Sequence, residues 1–256
     1  HMKYALIVSY DGTDFCGWQK QGEKRTVQLI LERAASEIFG RETRVIASGR
    51  TDSGVHALGQ VCELAADTGI PADRLSACFN GKLPADVRVL KSFAVENGFD
   101  VTRSAKRKTY RYTAYYAETE LPLLERYAVR LKERPSMERM KAAAELLVGE
   151  HDFAAFRAAG YTSKTSVRTL YGVEVDAHKS EYAEVYTITV CGNGFLYNMV
   201  RILAGEIFAV GCGKETKIIE AFETGERCLL AKTMPAKGLV MLKAEYAFER
   251  GDKEDD

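Results

Sequence analysis

Tyr4-Ala-Leu-Ile-Val-Ser-Tyr10 is a nearly continuous apolar run. It predicts a strand covered on both faces rather than one with a solvated side. Beyond it, a loop carrying Gly12, Gly17 and Gly22 leads to Thr26, a helix cap. Val27, Ile30, Ala34 and Ile38 then fall at helical spacing and Gly40 supplies the stop. Thr43 to Ser48 and His56 to Ala66 read as strands joined through Gly49-Arg-Thr-Asp-Ser-Gly54. Pro71 opens a helix ending near Asn80, and Asp86 to Val95 is the next strand. The order is β-α-β-β-α-β.

That order returns in the second half. Arg107 to Ala117 is a strand rich in Thr and Tyr, and Ser136 caps a helix holding Met137, Met140, Ala144 and Leu147, with Gly149 as its end. Strands are expected at Thr169 to Asp176 and Glu181 to Val190, helices at Phe195 to Val210 and Thr216 to Thr224, and a last strand at Gly238 to Phe248. Each half resembles a split β-α-β unit of the ferredoxin type. The halves share no residue-level similarity, so their kinship rests on element order alone. The junction falls near Arg103, giving an N-terminal α/β subdomain, 1–103, and a C-terminal one, 104–256. The acidic tail Asp252 to Asp256 is expected to fray.

The 256 residues are 46% hydrophobic and 28% charged, which excludes a disordered or collagen-like chain. Lys+Arg and Asp+Glu are both 36, so a uniformly basic coat is excluded while a local basic patch is not. The most apolar stretch, Phe195 to Gly211, is broken by Arg201 and Glu206, so no membrane span is expected. Six scattered cysteines without a C-x-x-C read as reduced thiols, and a cytoplasmic location is expected.

Several chemistries fall away. His1, His56, His151 and His178 stand too far apart for a paired-ligand helix. His151-Asp152 reads better as a loop anchor than as part of a metal site. Gly213-Lys214 lacks the first glycine and the Ser or Thr of a phosphate loop, having Phe208 and Glu215 there. Gly192-Asn-Gly194 is a fragment of a dinucleotide fingerprint. No metal and no cofactor is proposed by these residues.

Two stretches remain. Ser48-Gly-Arg-Thr-Asp-Ser-Gly-Val-His-Ala57 puts one carboxylate, Asp52, at the tip of a loop bracketed by glycines, which allow a sharp turn and close approach to a ligand. Alone, such a loop more often holds a turn aspartate bonded to its own backbone. Arg103-Ser-Ala-Lys-Arg-Lys-Thr-Tyr-Arg-Tyr112 carries five cations and no acid, and Tyr110 and Tyr112 share one face of a strand. Cations for phosphates beside rings for bases make a single-strand nucleic-acid signature, although strand tyrosines are as often packing.

These stretches occur in order with Tyr10-Asp-Gly, Gly17-Trp-Gln, Thr26-Val-Gln28, Asn80-Gly-Lys-Leu-Pro84, His151-Asp-Phe153, Phe195 to Arg201 and Pro235-Ala-Lys-Gly-Leu239. Together they resemble the bacterial tRNA pseudouridine synthase A family across nearly the whole chain. The G-R-T-D-x-G-V-H string is the most specific piece. The chain departs from the family's Phe-His-Ala-Arg pattern at Phe99-Asp-Val-Thr102, with Arg103 one place later.

The resemblance implies an α+β pseudouridine synthase fold, in which two ferredoxin-like halves form a continuous, mainly antiparallel sheet with helices on one face. It implies an isomerase converting uridine to pseudouridine at positions 38–40 of the tRNA anticodon arm, without cofactor, as a homodimer. Carried over by motif, Asp52 is the catalytic nucleophile or base. Tyr110, Arg50, Arg201 and Leu239 are substrate-binding: Tyr110 stacks on the base, Arg50 positions RNA, Arg201 faces the carboxylate and Leu239 closes the pocket. A guanidinium beside Asp52 is expected to oppose any rise in its pKa on burial. The competing readings are a non-catalytic RNA-binding or chaperone module, which has no need of a fixed carboxylate, and a ligand-sensing ferredoxin-like dimer, which has no need of tRNA.

Overall fold

The computed structural model describes residues 1–160 and 163–246, so the tail at Asp252 to Asp256 and the end of the expected last strand lie outside the described residues. The first half runs β1 (Met2–Tyr10), α1 (Val27–Phe39), β2 (Ile46–Ala47), β3 (His56–Ala66), α2 (Leu75–Asn80) and β4 (Val87–Val95). The second runs β5 (Ala105–Tyr116), β6 (Val129–Leu131), α3 (Met137–Glu145), β7 (Gly149–Asp152), β8 (Val167–Lys179), β9 (Glu184–Gly192), α4 (Met199–Gly211), α5 (Ile218–Thr224) and β10 (Leu239–Tyr246).

Among the described residues, ten strands form one sheet in the order β4-β1-β3-β10-β5-β9-β8-β7, with β2 beside β3 and β6 beside β5. Each half keeps the ferredoxin arrangement: β4-β1-β3-β2 in the first, β10-β5-β9-β8 in the second. The halves meet where β10 lies parallel to β3, with Val240 opposite His56 and Met241 opposite Ala57. All other neighbours on the main path are antiparallel. This is the α+β architecture expected.

The five helices of the described residues all contribute to one core. It takes Leu31 from α1, Phe79 from α2, Met140 from α3, Leu203 from α4 and Ile218 from α5. From the strands it takes alternate residues, Tyr4, Leu6, Val8 and Tyr10 of β1 and Tyr186, Ile188 and Val190 of β9. Period-two burial assigns those residues to one side of the sheet, so the helices cover that side. The other side carries a small separate cluster of Tyr115, Ala117, Ala128 and Ala183.

Local signals act as predicted at three helix ends. Thr26 Oγ1 accepts from Leu29 N–H, Ser136 Oγ accepts from Arg139 N–H, and Gly40 turns left-handed at φ 69°. Several boundaries differ, as at β8, which runs Val167–Lys179 instead of Thr169 to Asp176, and three others trace to particular residues. The strand expected from Thr43 shrinks to two residues because α1 takes the backbone of Val45: Gln28 donates to its carbonyl and Glu32 accepts its N–H. Helix α4 starts at Met199, not Phe195, because Asn198 adopts a left-handed φ of 60°, which Asn tolerates better than most residues. Gly149 opens β7 at φ 109° instead of ending α3, which stops four residues earlier at Glu145.

Candidate active site

The parallel seam puts three chain segments side by side. The loop after β2 carries Asp52 and runs into β3 at His56. Strand β10 starts beside it at Leu239, and on its far side β5 sets Tyr112 opposite Leu239 and Tyr110 opposite Met241. A cleft of about 1020 Å³ opens here, lined by Asp52, Arg50, Tyr110 and Leu239 among others. Arg201, from α4, meets Asp52 at its edge. Five residues spread from 50 to 239 in the sequence are thus brought to one place.

The Asp52 loop is held from several sides. Tyr10 shares a buried 2.6 Å hydrogen bond with Thr51, and Trp18 N–H donates to the Thr51 carbonyl at 3.0 Å. Ser53 Oγ donates to Phe15 O. Gly12 and Gly17 make this clamp possible. A Cβ at Gly12 would stand 2.0 Å from Val55 O, and one at Gly17 would stand 2.8 Å from Thr51 O. At the loop's start, Gln60 bonds both Ser48 Oγ and the Gly49 carbonyl, while Lys108 donates to the Ser48 carbonyl.

Asp52 is half-buried, its side chain 28% exposed. Arg201 Nη1 approaches Asp52 Oδ2 at 3.5 Å while donating to Asn198 Oδ1 at 2.9 Å, and its Nε donates to Met234 O at 2.8 Å. The guanidinium is therefore fixed by partners other than the carboxylate. Burial pushes the Asp52 pKa up, and the opposing pull of Arg201 does not cancel it. At 3.5 Å through a single nitrogen, the pair lacks the short bidentate geometry that would hold the carboxyl down.

Tyr110 is almost fully buried and meets the Phe195 ring edge-on at 5.0 Å. Burial, with Tyr10 and Asp52 nearby, pushes its hydroxyl well above the ordinary range, so it stays protonated. Tyr112 takes a structural role, donating to Pro235 O, with Gly238 packed against its ring. Leu239 is buried at the cleft wall, and Arg50 is exposed on the lining. The basic run splits by strand pleat: Lys108 and Tyr110 face the cleft, whereas Arg107 points away and lies over the Tyr171 ring. At the family departure, Asp100 accepts from the backbone of Thr102 and Arg103 and closes a local turn.

Sequence reasoning missed Arg44, Arg168 and His56. Arg44 and Arg168 line the cleft without any motif around them. His56 lay inside the quoted string, but nothing local revealed its task. It accepts from Gly12 N–H at Nδ1 (2.9 Å) and donates from Nε2 to Lys237 O (3.0 Å), tying the Asp52 loop to both halves. His151 and Asp152 are loop anchors as expected, the ring stacked on Phe222 and the carboxylate accepting from Ala154 N–H. Among the described residues no group of three His, Cys, Asp or Glu side chains is placed to hold a metal ion, and no helix is long and apolar enough to cross a membrane.

The tRNA pseudouridine synthase family matches residues 6–102 and 143–247. The chain belongs to that family. It is 39% identical over 243 residues to a tRNA pseudouridine synthase A of Acetivibrio thermocellus, covering 94% of this chain and 98% of that one. A tRNA pseudouridine synthase A of Geotalea uraniireducens matches at 39% with the same coverage, and one of a Thermoanaerobacter species at 37%. Among solved structures, a chain in a Cbf5-Nop10-Gar1 complex is similar at 11% identity and a TM-score of 0.35. The match covers 94% of this chain but spans only 57% of that one, too distant to carry an argument. Within the family alignment fall both the Asp52 loop and the start of β10, and the unmatched 103–142 contains the Tyr110 strand.

Proposed function

We infer that this chain isomerises uridine to pseudouridine in tRNA, with Asp52 as the nucleophile or base at the junction of ribose and uracil. The observation that carries this reading is the Asp52 carboxylate, half-buried in a large cleft, 3.5 Å from a guanidinium that other groups hold in place. The reaction breaks the bond between N1 of uracil and C1′ and forms one from C5 to C1′. The C5 proton leaves and N1 gains one, so nothing is oxidised or hydrolysed.

The target uridine is everted into the cleft, at a cost of a few kcal/mol. Tyr110 stacks on the base, where one ring contributes about 1–3 kcal/mol and offsets much of that cost. Its protonated hydroxyl is available to move a proton in the second half of the reaction. Leu239 closes the pocket against water, which would otherwise capture the severed sugar. Arg201 orients Asp52 and steadies its charge, and Arg50, exposed on the lining, positions the RNA. Among the described residues, those lining the cleft include Arg44, Arg50, Lys108 and Arg168 against the single carboxylate Asp52. That local excess of cations fits an RNA substrate despite a net charge of zero.

The finer reading is that the uridines are those at positions 38–40 of the anticodon arm and that the enzyme works as a homodimer in the cytoplasm. The halves join at residue 103, with 1–103 carrying the catalytic loop and 104–256 completing the cleft. Tritium release from 5-tritiated uridine in unmodified tRNA tests the chemistry. Wild-type protein releases tritium, while Asp52→Asn releases none and still binds tRNA. Full release by that variant would refute the assignment. Mapping pseudouridine along the product tRNA tests the positions, and sedimentation at micromolar concentration tests the dimer.

A further inference from the structure

Lys108 and Arg168 stand together on the cleft wall without an acid. Lys108 lies on β5 opposite Gly192 of β9, and Gly192 lies opposite Leu170 of β8, two residues after Arg168. With strands about 4.8 Å apart, Lys108 and the end of β8 are two strand spacings from each other on the same face. Both side chains are partly buried and both line the cleft.

Their partners are all backbone carbonyls. Lys108 Nζ donates to Ser48 O, and a Cβ on Gly49 would stand 3.1 Å from the same nitrogen. Arg168 Nη1 donates to Thr165 O and Val167 O at 2.9 and 2.7 Å. An ammonium has three N–H donors and a guanidinium five, so two on Lys108 and those on Nε and Nη2 of Arg168 have no acceptor among the described residues. Neither residue takes part in an ion pair there, although most partly buried cations of this chain do, such as Lys3 with Glu63 and Lys214 with Glu206. Two desolvated like charges side by side oppose folding unless an anion joins them.

We propose that Lys108 and Arg168 form a two-cation site for one backbone phosphate of the substrate, next to the everted uridine. The proposal rests on the RNA-isomerase reading of the cleft and names the part of the substrate that this wall takes. Lys108 touches the loop that carries Asp52, so the phosphate it grips registers the nucleotide on the catalytic carboxylate. Glycines keep the path open: Gly49 beside Lys108 and Gly194 beside Arg168, where an added Cβ would meet the guanidinium at 3.5 Å.

The pair has a signature in pH. Burial, then the neighbouring Arg168, pushes Lys108 down to about 8. The groups facing it are Arg168 from β8 and the carbonyl of Ser48 from the loop, and Arg50, Asp52 and Tyr110 share the cleft. Lys108 therefore loses its charge as pH rises from 7 to 8.5, and wild-type affinity for tRNA falls over that window. Lys108→Arg, which stays charged, removes the fall while the RNA's own titration is common to both proteins.

The test is tRNA binding by wild type, Lys108→Arg, Lys108→Gln, Arg168→Gln and the double Gln variant, with thermal melts to check folding. Each Gln variant is expected to weaken binding about 10- to 100-fold, as for a lost charged hydrogen bond. Each also lowers the slope of log affinity against log salt, the double variant by about 0.7 for one single-strand phosphate. A series of anticodon-arm RNAs, each with one methylphosphonate linkage, should contain one whose neutral linkage weakens wild type but not the double variant. A double variant with the wild-type salt slope and the wild-type response to every linkage overturns the proposal. Failure of wild type to form pseudouridine in the same RNA would strike the reading of the site instead, and the binding comparison still decides the phosphate site.

Discussion

Asp52 carries two opposed influences, and burial outweighs the guanidinium at 3.5 Å. Because the folded pKa lies above the unfolded value, the stabilising contribution is fully present below about 3.8 and lost as pH rises through the folded value. At neutral pH the ionised carboxylate therefore costs stability, a cost that its proposed role as nucleophile or base would explain. Asp52→Asn should melt at or above the wild-type temperature while inactive, with about 2–4 °C gained per kcal/mol recovered. A scanning-calorimetry result well below wild type would contradict this. Removing Arg201 takes away its pull toward the charged form, so Arg201→Met should move the acid limb of kcat/KM to higher pH by about one unit or more. An unmoved limb would separate Arg201 from the ionisation of Asp52.

Among the elements, the loop between β1 and α1 decides where the Asp52 loop sits. Its close approach at Gly12 leaves no room for a methyl group, since Val55 O lies 2.0 Å from the Cβ position. Gly22 has positive φ but nothing within 4 Å. The two glycines separate contact from conformation. Gly22→Ala should cost about 1–2 kcal/mol through its backbone alone and leave kcat unchanged. Gly12→Ala should cost a comparable ~1–3 kcal/mol through overpacking and also lower kcat at least tenfold if Asp52 acts as proposed, because the displaced atoms belong to the loop that carries it. Denaturant unfolding and single-turnover kinetics on both variants test the contrast.

Over the whole molecule, His56 joins the two halves at the point where β3 meets β10. Its Nδ1 accepts from Gly12, so the ring works as a neutral latch, and burial lowers its pKa despite Asp11 nearby. A His held below its unfolded value of 6.5 contributes stability above that pH, and the contribution is lost as pH falls through the lower folded value. Melting temperature should drop between pH 6.5 and 5 more steeply in wild type than in His56→Gln. Parallel slopes in the two proteins would show that the loss originates elsewhere.

Much of this was legible in local pattern. Helix caps at Thr26 and Ser136, the apolar run of β1 and the order of elements are short-range properties, because a cap or a strand face is decided within a few residues. Asp52 was legible because its glycines and neighbours form one unbroken string. Arg168 and Arg44 were not: isolated arginines look alike in sequence, and only the sheet shows which of them face the cleft. The direction of the Asp52 pKa shift was likewise beyond local reading, since burial is set by α4, β10 and β5 together. The sequence by itself determined the order of the main elements and singled out Asp52 as the carboxylate proposed for the chemistry, whereas the short strands β6 and β7 were visible only in the sheet. Only the tertiary structure decided that β10, some 180 residues after β3, lies parallel to it, because pairing between distant strands follows from shared burial and leaves no mark in either strand alone.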